Sequence, residues 1–301
     1  MQHPVVLFCY NRPDHVKETL SALAANEGAA DTALIVFSDG PASTTDEVLV
    51  QAVRAILGAI EGFKSVQIIT SECNKGLSAS IIDGVSEVLS IYEACIVLED
   101  DLETAPYFLN FMNEGLLQYK DDDRIFSVAG YCPPFQMPTD YAHASFLFPR
   151  INSWGWATWR NRWQKVDWQV QDFNCFISDK KLRARLTQQG ADLPVMLLKQ
   201  QQGKIASWAV RFNQSCFNLG MTNVYPVRSF VRNLGTDGSG THMKSSGKYS
   251  VELGRDVLSP SDIGSSLEIN QRFRDFYRPS CYRRVINRIK IALYNLGRQG
   301  E

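Results

Sequence analysis

Short apolar runs alternate along the chain with stretches in which apolar residues recur three or four positions apart. Residues 4–10, PVVLFCY, predict a buried strand that stops at Asn11-Arg12-Pro13. HVKETLSALAAN then places Val16, Leu20 and Leu23 at helical spacing. ALIVFSDG predicts a second strand ending in Asp39-Gly40, followed by a helix over DEVLVQAVRAILGAI with Val48, Val53, Ile56 and Ile60 toward one face. A third strand, SVQIIT, is closed by the turn-rich SECNKG; LSASIIDGVSEVLSI predicts the next helix and ACIVLEDD a fourth strand. This alternation predicts an α/β fold with a mostly parallel central sheet flanked by helices. The carboxyl ends of such strands share one edge, where ligands bind. Here that edge collects Asn11 and Arg12, Asp39, Asn74 and Lys75, and the triplet Glu99-Asp100-Asp101.

Three adjacent carboxylates repel one another, and strand alternation turns Glu99 and Asp101 to one face, so a cation is expected between those two. The competing reading is helix capping, with Asp101 or Thr104 opening a helix through PYFLNFMNEGLLQY. No G-x-G-x-x-G follows the first strand and no G-x-x-x-x-G-K-[ST] occurs, so dinucleotide and P-loop binding are not supported. A strand-end Asp39 can accept from a base or ribose and Lys75 can face a phosphate, although Asp-Gly and Asn-Lys-Gly are also common turns.

Residues 105–130 predict a helix and then the strand DRIFSVAG, after which the pattern becomes loop-rich. SWGWATW, residues 153–159, holds three tryptophans in seven positions. Such density is core mass, or else Gly155 lets a ligand approach the backbone while Trp154 and Trp156 offer flat faces to sugar rings. KKLRARLTQQG and SWAVRFNQSCFNLG predict helices, and YPVRSFVRN a short strand. The loop GTDGSGTH, 235–242, ends in His242, whose imidazole is either solvated or a ligand for a divalent ion.

At 301 residues the chain is long enough for one large domain or two small ones. A net charge of −1 provides no basic field for nucleic acid. Seven scattered cysteines without a Cys-x-x-Cys pair argue for reduced thiols, not a disulfide framework or zinc site. With the first strand starting almost at Met1 and no apolar stretch of the ~20 residues a bilayer requires, the expectation is a cytoplasmic protein, at most peripheral to the inner face of the membrane.

Taken together, FCYNRPDHVKETLSAL, VFSDG, NKGLSASI and VLEDDL resemble the nucleotide-binding half of a GT-A glycosyltransferase. The added SWGWATW and GTDGSGTH resemble bacterial sugar transferases related to N-acetylglucosaminyltransferase I. The resemblance covers about residues 3–242 and implies a sugar moved from a nucleotide-sugar donor, UDP-linked by that likeness, to a saccharide acceptor, with inversion. It implies that Asp101, completed by His242, binds Mn²⁺ or Mg²⁺, a Lewis acid for the departing diphosphate. Asn11, Arg12, Asp39, Asn74, Lys75, Gly76, Glu99 and Asp100 would line the nucleotide-sugar site, and Trp154, Gly155, Trp156 and Trp208 the donor and acceptor sugars. Relatives often carry Trp-Asp where this chain has Trp208-Ala209, and alanine cannot take a proton. Asp237 is the substitute candidate for the general base, with Asp100 as the alternative.

The expected organisation is a GT-A domain over 1–245, divided near residue 130 into nucleotide and acceptor halves, and a C-terminal extension over 246–301. From 272 to 298 there are eight basic residues and one acid, with Val285, Ile289, Ala292, Leu293 and Leu296 at helical spacing. This basic amphipathic helix suits an anionic membrane surface and a lipid-linked acceptor such as a growing surface polysaccharide, or else docks its apolar face on the main domain. Two other functions compete: a nucleotide-sugar or glycan-binding module without turnover, suggested by Ala209, and a nucleotidyltransferase, disfavoured by the lack of an early Gly-rich basic loop.

Overall fold

The computed structural model describes residues 2–237 and 247–298. The first half alternates as its pattern predicts: β1 (Val5–Cys9), α1 (Pro13–Ala24), β2 (Ala33–Ser38), α2 (Thr44–Leu57), β3 (Ser65–Thr70), α3 (Leu77–Ile91) and β4 (Ala94–Glu99). These strands pair in parallel in the order β3-β2-β1-β4. After a short β5 (Leu102–Thr104) come α4 (Phe108–Gln118), β6 (Ile125–Ala129), β7 (Ser145–Phe148), β8 (Trp156–Trp159) and α5 (Arg160–Trp163). Four helices follow: α6 (Phe173–Ser178), α7 (Lys180–Thr187), α8 (Leu193–Gln201) and α9 (Trp208–Leu219). Then come β9 (Thr222–Pro226), β10 (Val231–Asn233), β11 (Ile263–Gly264), α10 (Leu267–Phe276) and α11 (Cys281–Arg298).

Nine strands form one sheet, β11-β7-β9-β6-β8-β4-β1-β2-β3, while β10 pairs with β5 in a separate ribbon. Strand β8 runs antiparallel between β4 and β6. All five residues of β1 are buried, as a parallel strand covered on both faces requires. Val5, Leu7 and Cys9 join a core with α1, α2 and α4, whereas Val6 and Phe8 face α3 and α9. In α2 Val53 is buried with Val50 and Leu57, whereas Val48 is exposed; Ile56 and Ile60 pack partly buried against the same core, as expected. YPVRSFVRN is not one strand: it breaks after Pro226, and only Val231–Asn233 resumes as β10, against β5. The described part of the C-terminal extension, 247–298, adds β11 to the edge of the main sheet and packs Ile269 and Phe273 of α10 against Phe146, Phe148 and Tyr225.

Candidate active site

Strand β4 ends at Glu99, so Asp100 and Asp101 lie in a turn and strand alternation does not extend to them. The expected cation is present, but between a different pair: Arg12 bridges Asp100 and Asp101, with Nη1 2.9 Å from Asp101 Oδ2 and Nη2 on Asp100 Oδ1. Arg12 stands just before α1, which carries it from the end of β1 over the neighbouring strand end. The Tyr10 N–H donates to Asp100 Oδ2 at 3.1 Å, and the Thr19 hydroxyl donates to the Asp100 carbonyl at 2.8 Å. Neither Asp101 nor Thr104 caps a helix; α4 begins after Tyr107, and the Thr104 hydroxyl accepts from Asn26.

Burial pushes the Asp100 carboxyl up to about 6, against the downward pull of Arg12. Glu99 is held well above the usual carboxylate range by burial of its carboxyl and by the charges of Asp101 and Asp100. Both shifts favour the protonated form, that of Glu99 through burial and two neighbouring carboxylates, while Arg12 opposes the shift at Asp100.

Asp39 closes the neighbouring strand end. Its Oδ1 accepts from the N–H of Gly40 and of Lys75, both at 2.9 Å, and its Oδ2 from that of Gly76 at 2.9 Å. The carboxylate thus pins the 74–76 loop, and the Asn74 amide adds a bond to the Gly40 carbonyl at 3.0 Å. A Cβ on Gly40 would lie 2.5 Å from the Cys73 carbonyl carbon, so this close approach requires glycine. Asn11 turns to Asp46, donating at 2.8 Å. The pinned loop delivers Gly76 to the start of α3, whose N-terminus has no side-chain cap.

These pieces line a cleft of about 800 Å³, a size that encloses a small organic ligand. Glu99, Asp100, Asn11, Arg12, Asp39, Asn74, Lys75 and Gly76 all reach it. Its far wall comes from two residues that sequence reasoning missed, Trp168 and Arg211. Arg211 donates to the Ser78 hydroxyl at 2.7 Å and to the Trp168 carbonyl at 3.2 Å, which ties α9 to the first turn of α3. Burial lowers its pKa, with no carboxylate raising it.

The tryptophans at 154, 156 and 208 are arranged differently from expectation. Trp156 is fully buried and stacks on Trp208 with ring centroids 4.8 Å apart, so neither presents a face to a sugar. The antiparallel β8 turns Trp156 into the core between α3 and α9. Trp154 packs edge-on against Tyr131, 4.7 Å between centroids, and does not line the cleft. Gly155 has φ +60°, and a Cβ there would fall 2.6 Å from Val231, so core packing and not ligand access calls for glycine. Ala209 packs against the same core as Trp208.

Residues 5–186 match glycosyl transferase family 2, over half of the chain. The chain belongs to that family. The match to glycosyl transferase family 2 spans β1 through α7 and so contains Arg12, Asp39, the 74–76 loop and the acidic triplet. Among solved structures, the mannosyltransferase PcManGT from Pyrobaculum calidifontis in complex with GDP-Man and Mn²⁺ gives a TM-score of 0.36 at 12% identity, over 54% of this chain and 46% of that one. S. aureus TarS 1-349 gives 0.42 at 10% identity, over 79% and 62%, and its complex with UDP 0.41 at 11%, over 77% and 60%. The chain thus spans less than two thirds of each of these neighbours. No curated protein matches the sequence.

Whether a divalent ion suits the triplet is tested by its leftover valence. Among the described residues no group of three or more His, Cys, Asp or Glu is arranged to hold a metal. Asp101 Oδ1, however, is buried without a hydrogen-bond partner, while Oδ2 is held by Arg12. One carboxylate oxygen completed by substrate phosphates and water is how Mg²⁺ is commonly bound. The donor set therefore fits. The turn Leu234–Asp237 starts beside it: the Leu234 N–H donates to the Asp101 carbonyl at 2.7 Å, and a Cβ on Gly235 would lie 2.5 Å from Asp101 Oδ2. His242 and the Asp237 side chain lie outside the described residues.

Proposed function

We propose that this family 2 glycosyltransferase transfers a hexosyl or N-acetylhexosaminyl group from a nucleotide-sugar, UDP-linked, to a lipid-linked saccharide of a surface polysaccharide, with inversion. The observation that carries the reading is the convergence on one cleft of Glu99 and Asp100, the Asp39-pinned loop, the uncapped start of α3 and Arg211, with Asp101 held beside Asp100 by Arg12. The diphosphate lies against the first turn of α3 and Arg211, where backbone N–H groups and a guanidinium receive negative charge. Trp168 offers a flat face beside it. Glu99, biased toward its protonated form by burial, is placed to donate to a sugar or ribose oxygen.

Asp101, with His242, would hold Mn²⁺ or Mg²⁺, and the bound ion offsets the charge that builds on the departing diphosphate. Asp100 is the favoured base. It opens on the cleft, Arg12 and the Tyr10 N–H fix its orientation, and a carboxylate titrating near 6 takes an acceptor proton better than an ordinary one. Asp237, whose side chain lies outside the described residues, is the other candidate. The relation to N-acetylglucosaminyltransferase I belongs to this proposal and rests on the SWGWATW and GTDGSGTH motifs.

Calorimetric titration of UDP, GDP, CMP and dTDP, each with and without Mn²⁺, on the wild type and Asp101→Ala tests the donor side. Metal-dependent binding of one nucleotide, lost in the variant, is the expected result; no binding of any nucleotide would defeat the reading. Glycoside formation separates turnover from a binding module. Asp100→Asn should lower kcat by about two orders of magnitude or more, and Asp237→Asn should not.

A further inference from the structure

The outward face of α11 is a feature that the cleft does not explain. Its inner face docks on the α6–α8–α9 core through Ile291 and Tyr294, and the Asn295 amide donates to the Ile177 carbonyl at 3.0 Å. At 100° per residue the opposite face carries Tyr282, Val285, Ile289, Leu293 and Leu296, in steps of three and four. These five are 52–78% exposed and form a stripe about 21 Å long at 1.5 Å per residue. An apolar face turned to water opposite one already buried is not what packing within the chain produces.

We propose that α11 lies flat on an anionic membrane surface through this stripe. Charge selects that occupant. Residues 276–298 hold six Arg and Lys and neither Asp nor Glu, so a second copy stacked on the stripe would set cations against cations. Arg283 and Lys290 flank the stripe on one side and Arg288 on the other, the arrangement of a helix lying in a lipid headgroup layer. Beyond Arg288 a groove of about 1000 Å³ runs between α11, α10 and α7. Lys180, Arg183, Arg274, Arg278, Arg284 and Arg288 line it, with Asp275 as the lone acid among the lining residues. The Arg284 Nε in that groove is buried without a hydrogen-bond partner. No helix among the described residues is long and apolar enough to cross a membrane, so the contact is one of surface and not of span.

The test is co-sedimentation of the full chain with vesicles of phosphatidylcholine alone and of phosphatidylcholine mixed with phosphatidylglycerol. Binding is expected only to the mixed vesicles and should weaken with salt. Ile289→Asp/Leu293→Asp should abolish it without changing the thermal melt, because both side chains are exposed. Arg283→Gln/Lys290→Gln should weaken it about fivefold per cation removed. No sedimentation with mixed vesicles would overturn the proposal, as would equal binding after the apolar substitutions. A dimer seen by sedimentation velocity that falls apart in Ile289→Asp/Leu293→Asp, without vesicle binding, would also overturn it and assign the stripe to a second copy. No nucleotide or sugar enters the assay, so its outcome is independent of the transferase reading.

Discussion

Arg12 is the cation that lets Asp100 and Asp101 remain charged beside each other, and Arg12→Met removes it while keeping most of the side-chain bulk. Two unit charges about 4 Å apart interact by about 4 kcal/mol at an effective dielectric of 20. The Arg12 side chain is 24% exposed, so solvent screens part of this; Asp100, at 4%, is not so relieved. Leaving a buried carboxylate unpaired costs about 3–5 kcal/mol, and with the screening a loss of about 2–4 kcal/mol is expected near neutral pH. The sign of the pH dependence follows from Asp100. Its folded pKa is raised to about 6, above the unfolded value, so the charged form weakens the fold above that pH and the loss is recovered as pH falls through it. Arg12 holds that pKa down, so in the variant it moves higher and recovery begins sooner on acidification. Equilibrium urea unfolding at about pH 7.5 and about pH 5 measures both effects. A deficit under about 1 kcal/mol, or one equal at the two pH values, would refute the account of Arg12 as the neutralising partner.

Asp39→Asn should cost about 1–3 kcal/mol, because one carboxamide end is a donor facing the N–H groups of Lys75 and Gly76 or Gly40; calorimetry should also show nucleotide binding weakened about tenfold as the 74–76 loop loosens. Trp156→Ala should destabilise the fold by about 3–5 kcal/mol in thermal or urea unfolding, whereas Trp168→Ala should cost far less stability and instead raise the KM for donor or acceptor. Gly155→Ala should lose about 2–4 kcal/mol, from the positive φ and from the contact forced on Val231, with little effect on nucleotide affinity in whatever fraction remains folded.

The parallel half of the sheet was legible because its signal is local. A run such as VVLFC, buried at every position, and the acids and turns that end each strand, need no knowledge of partners. The pairing of Arg12 was not legible in the same way. It depends on β4 ending at Glu99 and on β1 lying directly beside β4, both tertiary facts, so the alternation rule assigned the cation to the wrong pair. The tryptophan segment failed for a related reason: three indoles in seven residues reveal mass but not which side of β8 faces inward, and the antiparallel insertion of β8 beside β4 decides that. Arg211 had a usable signal. It follows Trp208 by three and precedes Phe212 on a helix capped by Ser207, which puts an arginine near the buried face with no acid in the same segment to neutralise it.

What separates the carboxylates at these strand ends is how much of each is already used. Asp39 accepts from three backbone N–H groups, and its oxygens hold the loop; removing it perturbs binding through geometry. Asp101 is half used, one oxygen on Arg12 and the other buried without a partner, which leaves a free acceptor valence. Asp100 is oriented on both oxygens and lines the cleft, and burial biases Glu99 toward its protonated form. Charge reversal or neutralisation along the triplet should therefore not give one graded series: Glu99→Gln, which preserves a donor, is expected to be the mildest, and Asp100→Asn, which removes the proposed base, the most severe.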